Sequence, residues 1–272
     1  MKVNSNGLSF HVEDCGSRDQ FPMLLLHGFT GDSSTWTSFC SVWGKHSRLI
    51  IPDIIGHGKT DAPEEIAHYK MEAAAADIIL ILDQMEIVQM DVLGYSMGGR
   101  LALTIAQLYP ERVRKLILVS ASPGLKTEEE RMLRRMKDRE LANFINEHGV
   151  KSFVDYWEAI PLFSTMASLP NRLKELIREQ RLSNIARGLS NSLLGMGTGS
   201  QPSWWDRLDK LSCEVLLITG EKDEKFCRIA ENMQAEMKKA SWIVINEGGH
   251  AIHVEQKEKF GTIVSDFLLI HK

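Results

Sequence analysis

The segment Gly94-Tyr95-Ser96-Met97-Gly98 follows an apolar run, Met90–Leu93, and opens a helical pattern at Met97. Strand, sharp turn and helix form the context in which a serine serves as a nucleophile elbow. The flanking glycines matter physically, because so tight a turn favours neighbours without a Cβ. The turn lifts the hydroxyl clear of the sheet at the amino end of a helix, where developing negative charge is favoured. A serine hydroxyl is inert at neutral pH unless a base takes its proton, and that base needs an acid to orient it. In elbow sites the partners follow in the order Ser, then Asp or Glu, then His. The run Val215–Thr219 leads into Gly220-Glu221-Lys222-Asp223, and Trp242–Ile245 leads towards Gly248-Gly249-His250. Asp223 and His250 are the expected acid and base. Glu221 is a rival acid that lies nearer its strand. His27 and His57 sit in glycine-flanked turns that suit structural roles, and His253 falls one turn beyond His250.

The stretch Leu26-His27-Gly28-Phe29 closes an earlier strand, where a second oxyanion donor is expected beside the N–H that follows the nucleophile. Phe29 N–H and Met97 N–H are assigned to that pair. Such donors contribute on the order of 10²–10³ in rate each. Arg100 lies one helical turn after Ser96 and on the same face. Downstream, Arg134 and Arg181 flank apolar helical stripes. At roughly 100° per residue, Arg181 stands roughly 40° from Ile177 and Arg178 faces outward. Arg178, Arg131, Arg135 and Arg139 are read as solvated surface. Convergence of Arg100, Arg134 and Arg181 on one cavity would call for a substrate with several carboxylates, which arginine binds bidentately.

Elements of a particular kind must position these groups. Short apolar runs recur at Met23–Leu26, Leu49–Ile51, Met90–Leu93, Leu116–Val119, Val215–Thr219 and Trp242–Ile245. Continuous runs suit strands buried on both faces of a parallel sheet. Helical patterns separate them at Met71–Met85, Met97–Leu108 and Val254–Leu269, so a doubly wound, mostly parallel α/β sheet is expected. Leu8–Asp14 alternates and reads as an antiparallel edge strand. The alternation stops between Ser122 and Trp205. There Thr127 and Glu130 form a capping-box pattern for a helix running to Phe144, and a second helix is expected over Asn171–Leu182. Gly195, Gly197, Gly199 and Pro202 then read as a flexible stretch. The expectation is one domain over residues 1–272, with a helical lid over 123–206 above the carboxyl ends of the strands, where such sheets bind ligands.

Composition bounds the remaining possibilities. The chain has 272 residues, 43% hydrophobic and 25% charged, which supports a buried core and excludes a disordered chain. A net charge of −4 gives no global attraction to nucleic acid or an anionic membrane. No signal-peptide core or membrane span is apparent. Cys15, Cys40, Cys213 and Cys227 have neither metal-like nor redox spacing and read as free thiols in a reducing compartment, hence a cytoplasmic protein. A monomer without metal, nucleic-acid or membrane partner is expected.

At the residues named above the sequence resembles the 2-succinyl-6-hydroxy-2,4-cyclohexadiene-1-carboxylate synthase family of menaquinone biosynthesis, within the α/β-hydrolase superfamily. The likeness runs through LLLHGFTGDSSTW, GYSMGGRLAL, SPGLKTEEER, DYWEAIPLF, QRLSN, GMGTGSQPSWW, TGEKDEKF and GGHAIHVE. The HGF, GxSxG, acid and histidine segments are shared across the superfamily. Tyr95, Arg100, the run around Arg134, Trp157 before Pro161-Leu162-Phe163, and Arg181 are the distinguishing set. The resemblance implies an α/β-hydrolase fold that acts as a lyase without cofactor. It implies elimination of pyruvate from a substrate with three carboxylates, with Ser96 as base in the Ser96–His250–Asp223 triad. Arg100, Arg134, Arg181, Tyr95 and Trp157 are then the substrate-binding residues. One departure is that the turn Asp53–Gly58 lacks a proline common in superfamily relatives; it is expected to lie away from the chemistry. Two other readings stay open: a serine hydrolase with Ser96 as covalent nucleophile, and a non-catalytic ligand-binding protein. Three desolvated guanidinium groups would do nothing for an esterase of neutral esters, and an intact triad argues against a mere binder.

Overall fold

The computed structural model describes residues 1–269. Its eight strands are β1 (Lys2–Ser5), β2 (Leu8–Cys15), β3 (Pro22–Leu26), β4 (Arg48–Pro52), β5 (Met90–Tyr95), β6 (Val113–Val119), β7 (Glu214–Gly220) and β8 (Ala240–Ile245). They form one sheet in the order β1-β2-β4-β3-β5-β6-β7-β8. From β4 to β8 every neighbouring pair is parallel, whereas β2 runs antiparallel to both β1 and β4. Leu8–Cys15 is therefore antiparallel as expected but is not the edge. The four-residue β1 covers it, too short and too polar to stand out in the sequence.

All six residues of β5 are buried, which is why its run reads as continuously apolar. The helices are α1 (Ser34–Thr37), α2 (Cys40–Trp43), α3 (Met71–Gln84), α4 (Met97–Leu108), α5 (Glu128–Glu158), α6 (Asn171–Leu182), α7 (Ala186–Met196), α8 (Glu224–Glu236), α9 (Ile252–Glu255) and α10 (Lys257–Leu269). One face of the sheet packs on α3 and α4 through residues such as Ile78, Leu82, Leu101 and Ile105. The other buries Trp36, Phe39, Trp43 and Phe260. The helix expected over Val254–Leu269 is divided, with Gln256 between α9 and α10.

Between β6 and β7 the described elements are all helical. Thr127 accepts from Glu130 N–H and the Glu130 carboxylate accepts from Thr127 N–H, a complete capping box. The helix does not stop at Phe144. It resumes across a kink at Gly149, whose φ of 78° belongs to the left-handed region. Helix α7 was not anticipated, because its Ser190-Asn191-Ser192 stretch has poor helix propensity. Tertiary packing overrides that: Leu189 and Leu193 close a third core with Ala142, Ile145, Phe153 and Val154 of α5. Gly195, read as flexible, lies in α7, where an added Cβ would stand 2.5 Å from Tyr69 Cβ.

The thiol reading also needs correction. Cys15 at the end of β2 and Cys40 at the start of α2 form a disulfide, leaving Cys213 and Cys227 free. Sequence spacing carried no sign of it, since the pair spans 25 residues and is brought together where the end of β2 meets the start of α2. Closing a loop of that size restricts the unfolded chain, so Cys15→Ser should lower unfolding free energy by about 2–4 kcal/mol. Denaturant titration with and without reductant checks this. A wild-type midpoint that ignores the reductant, with four reactive thiols in the oxidised native protein, would speak against the bond.

Candidate active site

Five loops leave the carboxyl ends of β3, β5, β6, β7 and β8 and meet above the sheet. Ser96 sits between β5 and α4 with φ 52° and ψ −107°, a strained conformation that a non-glycine residue rarely holds. The surrounding glycines permit it. A Cβ on Gly94 would lie 2.2 Å from Gly98 O, and one on Gly98 would lie 2.4 Å from Leu26 O. Both obstacles are backbone, so α4 approaches β3 and β5 only because these positions carry no side chain. Ser96 N–H donates to Val119 O, which pins the elbow to β6.

The structure brings Ser96, His250 and Asp223 into one hydrogen-bonded chain. His250 Nδ1 donates to Asp223 Oδ2 at 2.7 Å, and His250 Nε2 faces Ser96 Oγ at 3.1 Å. The carboxylate can only accept, so it places the proton on Nδ1 and leaves Nε2 to accept from the serine. His250 and Asp223 are 2% and 7% exposed, so water does not compete for these bonds. Asp223 also caps α8, its Oδ1 lying 3.5 Å from Phe226 N–H. Glu221 is occupied elsewhere and accepts from Glu247 N–H.

Phe29 and Met97 line a cavity of about 390 Å³ together with Ser96 and His250. Among the described residues neither backbone N–H has another hydrogen-bond partner. Backbone donors left free beside a serine are suited to stabilising an oxyanion. Behind them, His27 Nδ1 lies 2.8 Å from Gly28 O and its Nε2 accepts from Ile54 N–H. The Phe29 ring meets His57 edge-on at 5.7 Å. The turn Asp53–Gly58 thus braces the oxyanion loop from behind, closer to the chemistry than its sequence position suggests.

The three rival histidines, His27, His57 and His253, are structural. Burial, then the positive character of His27, pushes His57 down to about 3. His253, packed on Tyr95 and Trp36, is pushed down to about 3 by burial and then by His250. His27 is lowered chiefly by burial as well. In the unfolded chain these rings titrate near 6.5, so below that pH the unfolded state binds more protons than the folded one. Their contribution to stability is complete above about 6.5 and is lost as pH falls below it, for His57 and His253 towards about 3. Urea midpoints between pH 7 and 4 should therefore fall with acid, and less steeply in His253→Phe. An unchanged slope in that variant would defeat the assignment.

Arg100 and Arg134 reach the cavity that holds the serine, as do Tyr95 and Trp157. Arg100 Nη1 donates to Met196 O and to Gln201 Oε1, each at 2.6 Å. Among the described residues no carboxylate forms an ion pair with it. Burial and then Arg134 push Arg100 down to about 9, so it remains charged at neutral pH. Arg134 donates from Nε to Asp138 Oδ1 at 2.7 Å. Arg181 is not brought to this cavity. It is buried, 3.3 Å from Glu158 Oε1, with its guanidinium 5.0 Å from the centre of the Phe163 ring. It lines an adjoining cavity of about 480 Å³ that shares Phe29, Tyr95 and Phe163 with the first. Helical spacing can orient an arginine inward but cannot say which side of an aromatic partition it enters.

Arg178 pairs with Asp155 and Glu158, and Arg131 and Arg135 pair with Glu128, all on the outside of the helices. The cavity also exposes residues the sequence did not single out, among them Ser120, Lys225 and Phe226. Ser120 combines a φ of 46° with a buried hydroxyl that has no hydrogen-bond partner. Its position at a strand tip is the signal that could have found it. Among the described residues no group of three or more His, Cys, Asp or Glu is placed to hold a metal ion, and no helix is long and apolar enough to cross a membrane.

Residues 22–257 match the α/β-hydrolase fold family. The chain is 46% identical over 264 residues to a putative 2-succinyl-6-hydroxy-2,4-cyclohexadiene-1-carboxylate synthase of Bacillus subtilis, covering 97% of this chain and 96% of that protein. The solved structure of MenH from S. aureus superposes with a TM-score of 0.90 at 32% identity, covering 95% and 97% of the two chains. A 2-hydroxymuconate semialdehyde hydrolase of Pseudomonas is 27% identical over 290 residues, with 98% and 93% coverage.

Proposed function

The chain belongs to the α/β-hydrolase fold family and, within it, to the 2-succinyl-6-hydroxy-2,4-cyclohexadiene-1-carboxylate synthases, and from that membership we propose a lyase of menaquinone biosynthesis. It eliminates pyruvate from 2-succinyl-5-enolpyruvyl-6-hydroxy-3-cyclohexene-1-carboxylate. His250 Nε2 takes the Ser96 proton, and the serine oxygen removes the ring proton at C2, next to the succinyl carbonyl. The electron pair forms the C2=C3 bond, the C3=C4 bond shifts to C4=C5, and the C5–O bond breaks. Enolpyruvate departs and becomes pyruvate on taking up a proton, which His250 can return. Charge that builds on the succinyl carbonyl oxygen is met by Phe29 N–H and Met97 N–H.

The observation that carries this reading is the placement of two guanidinium groups, Arg100 and Arg134, in the cavity onto which the triad opens. Tyr95 and Trp157 shape its walls. Arg181 serves an arm of the substrate that passes Phe163 into the adjoining cavity. A monomer is part of the same proposal. The cytoplasmic assignment rests on the pathway and no longer on the thiols, two of which are joined. Pyruvate release from the enolpyruvyl substrate, followed through lactate dehydrogenase, is the direct test, and its absence would remove the proposal. A serine hydrolase is the second reading, favoured by the same triad and by the likeness to a semialdehyde hydrolase. Mass spectrometry separates the two: the lyase accumulates no covalent substrate adduct on Ser96.

A further inference from the structure

Lys225 lies two residues beyond the triad acid, on the first turn of α8, and lines the cavity that contains Ser96 and His250. Its ammonium stands 5.5 Å from the centre of the Phe226 ring, and that ring packs against His250 at 4.7 Å. The cation is thus carried on the aromatic wall of the general base. Among the described residues no carboxylate forms an ion pair with it, although other solvent-exposed lysines, such as Lys151 and Lys222, find acids. The charges nearest to it make this costly. Desolvation and then Arg134 reduce its basicity, and only Asp223, already committed to His250, opposes them. Lys126 on the same wall is turned over the Trp205 ring, and Glu130 is held by the capping box at Thr127. Arg100, Arg134 and Lys225 therefore face one chamber with a single carboxylate, Asp138, paired among them.

Like charges that face one chamber repel one another even where solvent screens them in part, and an anionic guest relieves that repulsion. We propose that Lys225 is a substrate-binding residue that holds a carboxylate of the substrate beside His250. It completes, with Arg100 and Arg134, a three-cation set in the catalytic chamber that does not depend on Arg181. This rests on the lyase reading for the identity of the substrate, but the preference for a polycarboxylate rests on the chamber alone.

Two measurements test it: KM and kcat for pyruvate release, and calorimetric binding of tricarballylate, a tricarboxylate probe that needs no turnover. Lys225→Gln should raise KM and the tricarballylate Kd about 10-fold, with kcat within about threefold of wild type. Lys225→Arg should restore both to within about threefold, and neither variant should shift the thermal midpoint. A Lys225→Gln protein whose KM and Kd stay within about twofold of wild type overturns the assignment. A wild-type protein that releases no pyruvate yet loses tricarballylate binding on Lys225→Gln sinks the lyase reading and leaves Lys225 in place. A wild-type protein that binds neither ligand overturns the role of Lys225 as well.

Discussion

Replacing His250 with alanine should lower kcat for pyruvate release by about 10²–10⁴, the range expected when a positioned general base is removed, while KM changes little. The reason lies in the chain of contacts at the site. Ser96 Oγ has His250 Nε2 as its acceptor at 3.1 Å, and His250 is oriented by Asp223 at 2.7 Å. Without the imidazole the hydroxyl keeps its proton, and the oxyanion donors at Phe29 and Met97 supply only residual catalysis. Ser96→Ala should cost about as much, because either change dismantles the same proton path. Groups that act as a unit do not contribute additively. The Ser96→Ala/His250→Ala double variant should therefore lose little beyond the worse single one. A double variant whose loss equals the product of the two single losses would mean that the residues act independently, and the proposed proton path would be wrong.

Much of this arrangement was legible in the sequence, for identifiable physical reasons. The parallel strands are buried on both faces, so their runs stand out as continuous apolar segments, and Met97–Leu108 and Asn171–Leu182 match observed helices end to end. Ser96, Asp223 and His250 were placed by strand tips, because such sheets gather their functional groups there. What escaped notice depends on contacts between distant segments. Helix α7 is held by packing against α5 and by Gly188 against Gly56, not by its own propensity. The Cys15–Cys40 bond depends on how the end of β2 meets the start of α2. Arg181 has the inward orientation that its spacing implied, yet Phe163 and Tyr95 divide the space it enters from the one that holds Ser96. Periodicity gives the face of a helix, whereas partition of a cavity is decided by side chains from several elements at once.

Arg100 should show the sharpest contrast between substrates. It stands one turn into α4, with its backbone N–H donating to Ser96 O, so its position is tied to that of the serine. Met196 O and Gln201 Oε1 fix Nη1, and among the described residues no carboxylate forms an ion pair with the guanidinium, which leaves the rest of the fork for a ligand. Removing one partner of a buried charged contact costs about 2–5 kcal/mol, so Arg100→Ala should reduce kcat/KM for the enolpyruvyl substrate by about 10²–10³-fold. A small neutral ester has no carboxylate to lose, and its hydrolysis should fall by less than about fivefold. Arg100→Lys should lie between, since it keeps the charge but not the bidentate fork. The truncation also leaves Met196 O and Gln201 without a donor, which could loosen the end of α7 and damage both reactions. The ester arm detects that directly: equal losses on the two substrates would mean that Arg100 supports the chamber wall and binds no carboxylate.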